Sequence, residues 1–410
     1  MIKSSAMTYA ILLILFASVF SLVVILIASG SKWLTTTFHN KEQVISNLFS
    51  ALNYYIAHPN YDTEQEIIVS GDTCTITAMP WGMFEVATVT SKKNKFSLTK
   101  SFLLGNRSHT NNTVLYLADT DQPLKITGKT TIKGTAYLPK QGIDRAYIEG
   151  TNYKGDELVY GEKKKAEKSL PLLNSHFLSF DVRNFYNDYD YSILHQLPDD
   201  SVFTFGSSTN VFHSVNPIVI SDAKLIGNLI IRSDDSITVN YNASLNNVIL
   251  IAPIVRIEKN FAGNVQIYAT ERIEIEESVQ LFFPSSLFLQ DRDDAFKRTF
   301  DAFVQISENA QINASILITS TSPDFRNPVK LDVKENVHIA GVIYNQGETQ
   351  LKGTVWGSIY TKRFYLKTRS SSYINHILNG IIDRTSLPDY FLTPDWFSTS
   401  PSHKMVIMGL

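Results

Sequence analysis

Three aspartates within four positions, Asp291, Asp293 and Asp294, are the residues whose types and spacing come closest to a chemical site. Clustered carboxylates can hold calcium through their oxygen atoms, and in glycoside-cleaving enzymes a pair of them acts as acid and base. The cluster also contains Arg292 and lies in a long segment between two repeated strands, where loops are ordinarily polar. A solvated loop of mixed charge is therefore the simpler interpretation, with calcium or glycan binding as the alternative.

Other signatures of catalysis are missing from the sequence. It contains no GxxxxGK[ST], GxGxxG, HExxH or GxSxG motif, which are the local patterns of nucleotide-binding proteins, metalloproteases and serine hydrolases. Its 9 histidines are scattered, and the single cysteine, Cys74, allows neither an intrachain disulfide nor a cysteine zinc cluster. We therefore predict no catalytic residues, no cofactor and no metal site beyond the aspartate cluster.

The charge balance argues against a nucleic-acid partner. Lys and Arg number 37 and Asp and Glu 39, for a net charge of −2, whereas nucleic-acid-binding proteins usually carry a basic excess. A hydrophobic fraction of 44% with 19% charged residues is typical of a folded chain.

A membrane-spanning helix is predicted over residues 7–29, after an N-terminal stub of residues 1–6. The segment from Met7 to Ser29 is almost wholly apolar and no charge occurs between Lys3 and Lys32. It is long enough for a bilayer core of about 30 Å, and it exceeds the apolar core of a cleaved signal peptide. The bilayer is thus the first predicted partner, and we expect a single pass with the C-terminal domain outside the cytoplasm, in the periplasm or at the cell surface.

An amphipathic stalk helix is predicted directly after the span, over residues 30–58, because apolar residues recur there at helical spacing until Pro59. A short stub, a membrane helix that continues into an amphipathic helix, and a β-rich region resemble the pilin-like subunits of type IV pili and type II secretion systems. The chain departs from that family's glycine cleavage point followed by glutamate, since no glycine precedes Gly30 and no acidic residue precedes Glu42. The resemblance implies envelope, pilus or secretion proteins as partners.

Three further segments are distinguished by their patterns. Residues 61–106 alternate in strand fashion and predict a small antiparallel β-subdomain. Residues 123–161 place glycines at intervals typical of the first rungs of a β-solenoid. Residues 162–200 lack strand alternation and are predicted as a helical or irregular insertion.

A repeated phrase then runs through residues 201–368, which we predict to be a β-solenoid. The third residue of each copy is Val or Ile, and Asn or Ser at the sixth position suits the left-handed backbone of a tight corner. The pattern resembles right-handed β-helix proteins, both polysaccharide-active ones and bactofilin-like polymers. The copies are ITVNYNASL from Ile237, VRIEKNFAG from Val255, IEIEESVQL from Ile273, VQISENAQI from Val304 and LDVKENVHI from Leu331.

The last residues, 369–410, are predicted to form a C-terminal cap and tail. Tyr373, Ile374, Ile377, Leu378 and Ile381 are spaced as in an amphipathic helix, which would close the open end of the solenoid. The final HKMVIMGL favours one more strand.

These elements make a mainly β chain with one transmembrane helix, and they favour a non-enzymatic function. We expect a membrane-anchored structural or assembly protein, pilin-like or part of a secretion apparatus, that presents a β-solenoid surface. The alternative is an anchored glycan-binding or carbohydrate-active β-helix protein.

Overall fold

The computed structural model of the chain describes residues 2–58, 64–107, 112–174, 177, 181–182, 190–291, 302–320, 328–388, 390–397 and 403–410. The protein is mainly β, with one long apolar helix at its N-terminus. It divides into two compact units, of which the first contains residues 1–78 and 87–100 and the second residues 79–86 and 101–410.

The first unit is built on helix α1 (Ile2–Ala57), which runs without a break through the predicted span and stalk. Its last turns bury one face, as the stalk pattern predicts. On the sheet side, Asp72 accepts a hydrogen bond from Asn47 Nδ2 and pairs with Lys93 Nζ, both at 3.0 Å. The buried residues of the helix are Val44, Asn47, Leu48, Ala51, Leu52 and Tyr55.

Residues 64–106, which lie in the predicted β-subdomain, form four strands, and β1 pairs with β2 in antiparallel register. Parts of β2, β3 and β4 belong to the second unit. Cys74 is fully buried in the second strand, as expected for an inert thiol. The strands are β1 (Glu64–Val69), β2 (Asp72–Trp81), β3 (Phe84–Lys93) and β4 (Phe96–Asn106).

The second unit is dominated by short strands that follow one another along the chain and pair mostly in parallel. Its first strands are β5 (Thr113–Leu117), β6 (Leu124–Thr127), β7 (Thr131–Lys133), β8 (Thr135–Leu138), β9 (Ile143–Arg145), β10 (Tyr147–Ile148), β11 (Thr151–Asn152) and β12 (Lys163–Lys165). The next are β13 (Tyr191–Leu194), β14 (Asp200–Phe203), β15 (Thr209–Ser214), β16 (Ile218–Ile220), β17 (Lys224–Gly227), β18 (Leu229–Ser233), β19 (Ser236–Val239), β20 (Ser244–Ile257), β21 (Ala262–Ile275) and β22 (Gln280–Asp291). The last are β23 (Phe303–Ile306), β24 (Gln311–Ser320), β25 (Lys330–Val333), β26 (His338–Leu351), β27 (Thr354–Lys367), β28 (Ser372–Ile374), β29 (His376–Leu378), β30 (Ile381–Asp383) and β31 (Lys404–Gly409).

The repeat predicts the register of these strands correctly. The first residues of the five copies pair directly, each with the next copy, and all five are fully buried. Three corner asparagines, Asn260, Asn309 and Asn336, adopt left-handed φ angles of 65°, 61° and 57°. Ser278 occupies the equivalent corner of its own copy with a φ of 58°. A left-handed corner therefore explains why Asn or Ser stands at these positions.

The strands at the start of this unit lie beside its last repeats. The parallel pairings give one long ladder in the order β13, β15, β18, β20, β21, β22, β24, β26, β27, β5, β8 and β12. The predicted first rungs therefore follow β27 in space. The segment after β12 leads the chain back over the ladder, because Tyr344 Oη donates to Pro171 O and Gln290 Oε1 accepts from Val182 N.

The predicted insertion, residues 162–200, is thus narrower than expected, since β12 and β13 occupy both of its flanks. Between them, the described residues 166–174 lie against the outer side of the ladder and bury Ala166 and Leu173 in an aromatic cluster with Trp396. This segment has little regular structure because its hydrophobic residues cover a sheet surface and its backbone does not pair in the ladder.

The predicted C-terminal capping helix is wrong, because residues 372–383 form the strands β28, β29 and β30. Ile377 pairs with Ile126 and Ile382 with Ile132, so the apolar residues continue the stacked core. Asn375 and Asn379, with φ angles of 53° and 61°, turn the chain at corners where a helix would need right-handed backbone. The predicted final strand is confirmed, since β31 pairs with β4.

Candidate functional site

The predicted aspartate site is reduced to one described residue. Asp291 ends β22 and is 3% exposed, and its Oδ2 accepts a 2.7 Å hydrogen bond from Ser320 Oγ on the paired strand β24. Asp293 and Asp294 lie outside the described residues. Within the part of the chain that the structure describes, no three His, Cys, Asp or Glu side chains are grouped as metal ligands. Asp291 acts there as a buried link between two strands.

A polar cleft of about 510 Å³ lies where β5 and β8 meet the edge strand β12. Tyr137 stands on its wall, stacked on Tyr116 with ring centroids 5.3 Å apart. Lys164 Nζ lies 5.9 Å from the centre of the Tyr137 ring and 3.0 Å from Glu162. The lining residues are Asn112, Thr113, Gly134, Thr135, Tyr137, Tyr160, Gly161, Glu162, Lys164 and Thr385.

The two charged side chains of this cleft, Lys164 and Glu162, pair with each other. The hydrogen bond and charge of Glu162 raise the pKa of Lys164, so the lysine stays protonated and cannot act as a base near neutral pH.

The edge strand β12 has a distinctive charge pattern. Lys163 and Lys165 pair with the core residues Ala136 and Leu138, so strand alternation directs both lysines to the core side at the end of the stack. Among the described strands, β12 pairs with β8 alone. Charged side chains turned inward at an edge oppose the addition of another strand.

On the first unit, the stalk part of α1 carries an exposed apolar stripe. Leu34, Phe38 and Ile45 are 50%, 59% and 46% exposed and recur at helical spacing. Leu34 and Phe38 precede Val44, the first buried residue of the described helix, and Ile45 lies at the edge of the buried face, three residues before Leu48. The helix is the one element of the described chain long and apolar enough to cross a membrane, so the stripe extends a membrane-compatible surface.

Neither the cleft nor the inward lysines could be identified from the sequence. The run EKKKAEK is visible, but only the pairing of β12 with β8 shows which lysines face the core. The cleft needs Thr385 beside Gly134 and Tyr160, and no sequence pattern indicates that the C-terminal strands lie against residues 113–165.

Comparisons of the chain with protein-family models, with curated proteins and with solved structures gave no match.

Proposed function

We propose that the protein is a single-pass component of the bacterial cell envelope that acts in assembly, as a pilin-like or secretion-apparatus subunit, without catalysis. The bilayer holds residues 7–29, and other envelope proteins pack against the stalk of α1. The second unit presents a rigid surface outside the cytoplasm.

The exposed stripe of Leu34, Phe38 and Ile45 is the observation that carries this proposal. Large apolar side chains exposed in a row lose contact with water when a partner covers them, which gains about 25 cal/mol per Å² buried. A helix that buries its last turns on its own sheet and leaves an apolar stripe open before and beside them is suited to lateral packing against similar helices.

The second unit is proposed to be a β-solenoid. In support, the copies of the repeat pair residue for residue and corner residues adopt left-handed backbone between strands. Each strand binds the next through parallel ladders, and the apolar side chains of successive strands form one continuous core. Such a stack is stiff, because each layer is fixed by hydrogen bonds to both neighbours.

An orientation with the second unit outside the cytoplasm is proposed because a large folded part follows the span, and such domains cross a membrane largely regardless of flanking charge. Protease treatment of intact and permeabilised cells tests this orientation. Digestion of the second unit in cells with an opened outer layer and an intact inner membrane supports it, and protection until the inner membrane is opened contradicts it.

Lateral packing is tested with a triple variant, Leu34→Ser, Phe38→Ser and Ile45→Ser, extracted in mild detergent and run on native gels. A matched control changes exposed polar residues on another face of the same helix, with Thr35→Ser, His39→Ser and Ser46→Ala. The wild type and the control should migrate as complexes above the 46.2 kDa monomer, and the stripe variant as a monomer. A wild-type monomer, or a stripe variant that keeps the complex, would contradict the proposal.

A further inference from the structure

We propose that the second unit has a binding site for a neutral glycan chain on one face of its stacked strands. This face, called the amide face, is defined by Gln280, Gln311, His338, Thr354 and Trp356. The first four pair in that order across β22, β24, β26 and β27, so they form a row perpendicular to the strands. The proposal goes beyond the assembly function and does not depend on it.

The row points away from the core. Leu281, Ile312, Ile339 and Val355 are the next residues in the four strands, and each is at most 1% exposed. Because side chains alternate between the two sides of a strand, the row faces outward. The two glutamines and His338 are exposed, and Thr354 is half-buried.

Trp356 gives the amide face an exposed aromatic surface. It stands two residues after Thr354 on the same side of β27 and is 41% exposed, with its ring centroid 5.8 Å from that of His338. The other tryptophans of the second unit, Trp81 and Trp396, are 1% and 2% exposed. An indole left half open on a rigid sheet provides a flat apolar surface at little cost in conformational entropy.

The polar groups of this face are not engaged within the chain. Among the described residues, the carboxamides of Gln280 and Gln311 make no side-chain hydrogen bond, and the His338 ring contacts Trp356 alone. The outer side of the neighbouring ladder differs, because its charged residues are already paired: Arg256 with Glu274 at 2.7 Å and Lys334 with Asp332 at 2.6 Å. The two carboxamides of the amide face are thus available to a ligand.

A sugar chain fits this combination of groups. A carboxamide donates and accepts, as a hydroxyl of a pyranose ring does, and an indole packs against the apolar C–H face of the ring. Strands lie about 4.8 Å apart, a spacing close to the advance of one sugar unit in an extended glycan, so successive rungs can contact successive sugars.

The charge and the chemistry of the face define the ligand class. The row contains no Asp, Glu, Lys or Arg, and Asp383, which pairs with Trp356 on the neighbouring strand β30, is already paired with Lys133 at 3.2 Å, so a neutral glycan is favoured over a uronate polymer. Cleavage of a glycosidic bond requires a pair of carboxyl groups across the bond, and the face offers none. The site therefore binds and does not hydrolyse.

The test is a tryptophan-fluorescence titration of the full-length protein in micelles of a detergent without a sugar headgroup. The probes are cellohexaose, N-acetylchitohexaose and maltohexaose, with hexagalacturonate as the charged comparison. Trp356→Ala and Gln311→Ala are the site variants. Tyr241→Ala is the matched control, because Tyr241 is 66% exposed and lies outside the amide face. Thermal unfolding verifies that each variant is folded.

We expect at least one neutral hexasaccharide to bind the wild type and the Tyr241→Ala control alike. Trp356→Ala should bind about tenfold more weakly or worse, and Gln311→Ala should show a similar loss, which corresponds to about 1.4 kcal/mol. Isothermal calorimetry gives the affinity where the fluorescent residue is removed. The proposal is overturned if no neutral probe binds, if both site variants bind as the wild type does, or if hexagalacturonate binds best.

Discussion

Ser320 Oγ donates a 2.7 Å hydrogen bond to Oδ2 of Asp291, and these two residues face each other in the paired strands β22 and β24. The carboxylate that the sequence offers as a calcium or glycan ligand is thereby engaged in holding two strands together. Buried carboxylates stabilise a fold when hydrogen bonds replace the water they lose.

A structural role for Asp291 predicts that Asp291→Ala lowers the free energy of unfolding by about 1–3 kcal/mol. Ser320→Ala should destabilise less, and the double variant should lose less than the sum of the two, because the same contact is removed twice. Thermal unfolding with and without calcium is the measurement. A rise in the melting temperature of the wild type with millimolar calcium, absent in Asp291→Ala, would instead identify a metal ligand.

Lys163 and Lys165, the inward lysines of β12, are expected to prevent self-association through this edge strand. Replacing Lys163 and Lys165 by Ile removes the two charges that oppose a further strand and exposes apolar side chains at the end of the core. The double variant should form concentration-dependent oligomers by light scattering. Lys164→Ile, whose side chain lies on the outer side with Tyr137, is the matched control and should behave as the wild type. Equal self-association of the two variants would show that the charges of Lys163 and Lys165 do not prevent it.

Asn309 lies at a corner with a φ of 61°, so its substitutions should lower the free energy of unfolding by amounts that follow backbone preference. Asn309→Ala should lower the free energy of unfolding by about 1 kcal/mol, because a Cβ disfavours the left-handed region for residues other than Gly, Asn and Asp. Asn309→Gly should cost less. The same Ala substitution at Asn242, a sixth-position residue without positive φ, serves as the comparison and should have the smaller effect. Chemical denaturation measures all three, and a neutral Asn309→Ala would contradict the corner assignment.

The stabilising contribution of Asp383 to the fold is expected to decrease in acid. Burial opposes its ionisation, but hydrogen bonds from Thr385, Lys133 and Ser386 outweigh burial, so the pKa of Asp383 is lowered from 3.8. A carboxyl whose pKa falls on folding stabilises the fold above its unfolded pKa, and this contribution is lost as pH falls through the folded value. Asp383→Asn should therefore be less stable than the wild type at pH 7, with the difference shrinking below about pH 4.

Unfolding curves of the two proteins between pH 7 and pH 2.5 measure this effect. Asp235→Asn is a suitable control, since Asp235 is exposed on a turn of the same unit. If the difference between Asp383→Asn and the wild type stays constant across the acid range, the hydrogen bonds to Asp383 do not carry the effect.

Local pattern was enough to predict much of the fold. The uncharged run between Lys3 and Lys32 predicts the apolar helix because a bilayer imposes length and hydrophobicity on a single segment. The repeat predicts register because equivalent residues, such as Val255 and Ile273, must stack in one core. The corner residues follow from the small set of residue types that tolerate positive φ.

The order in which the strands lie beside one another in space could not be predicted from local pattern. The pairing of β27 with β5 joins residues separated by most of the chain, and nothing in either strand specifies the other. The prediction of a C-terminal helix failed for a related reason. Ile377 and Ile381 fit both helical spacing and short strands separated by corners. The amide face was hidden too, since Gln280, Gln311 and His338 become neighbours only through the register of three strands.

Lateral packing of α1 is the central claim, and site-specific photocrosslinking in living cells tests it most directly. A photoreactive phenylalanine analogue at Leu34, Phe38 or Ile45 should give discrete adducts with envelope proteins or with a second copy of the chain. The same analogue at His39, an exposed polar position on another face, should give none. Absence of adducts at all three stripe positions, or equal adducts at His39, would contradict the account.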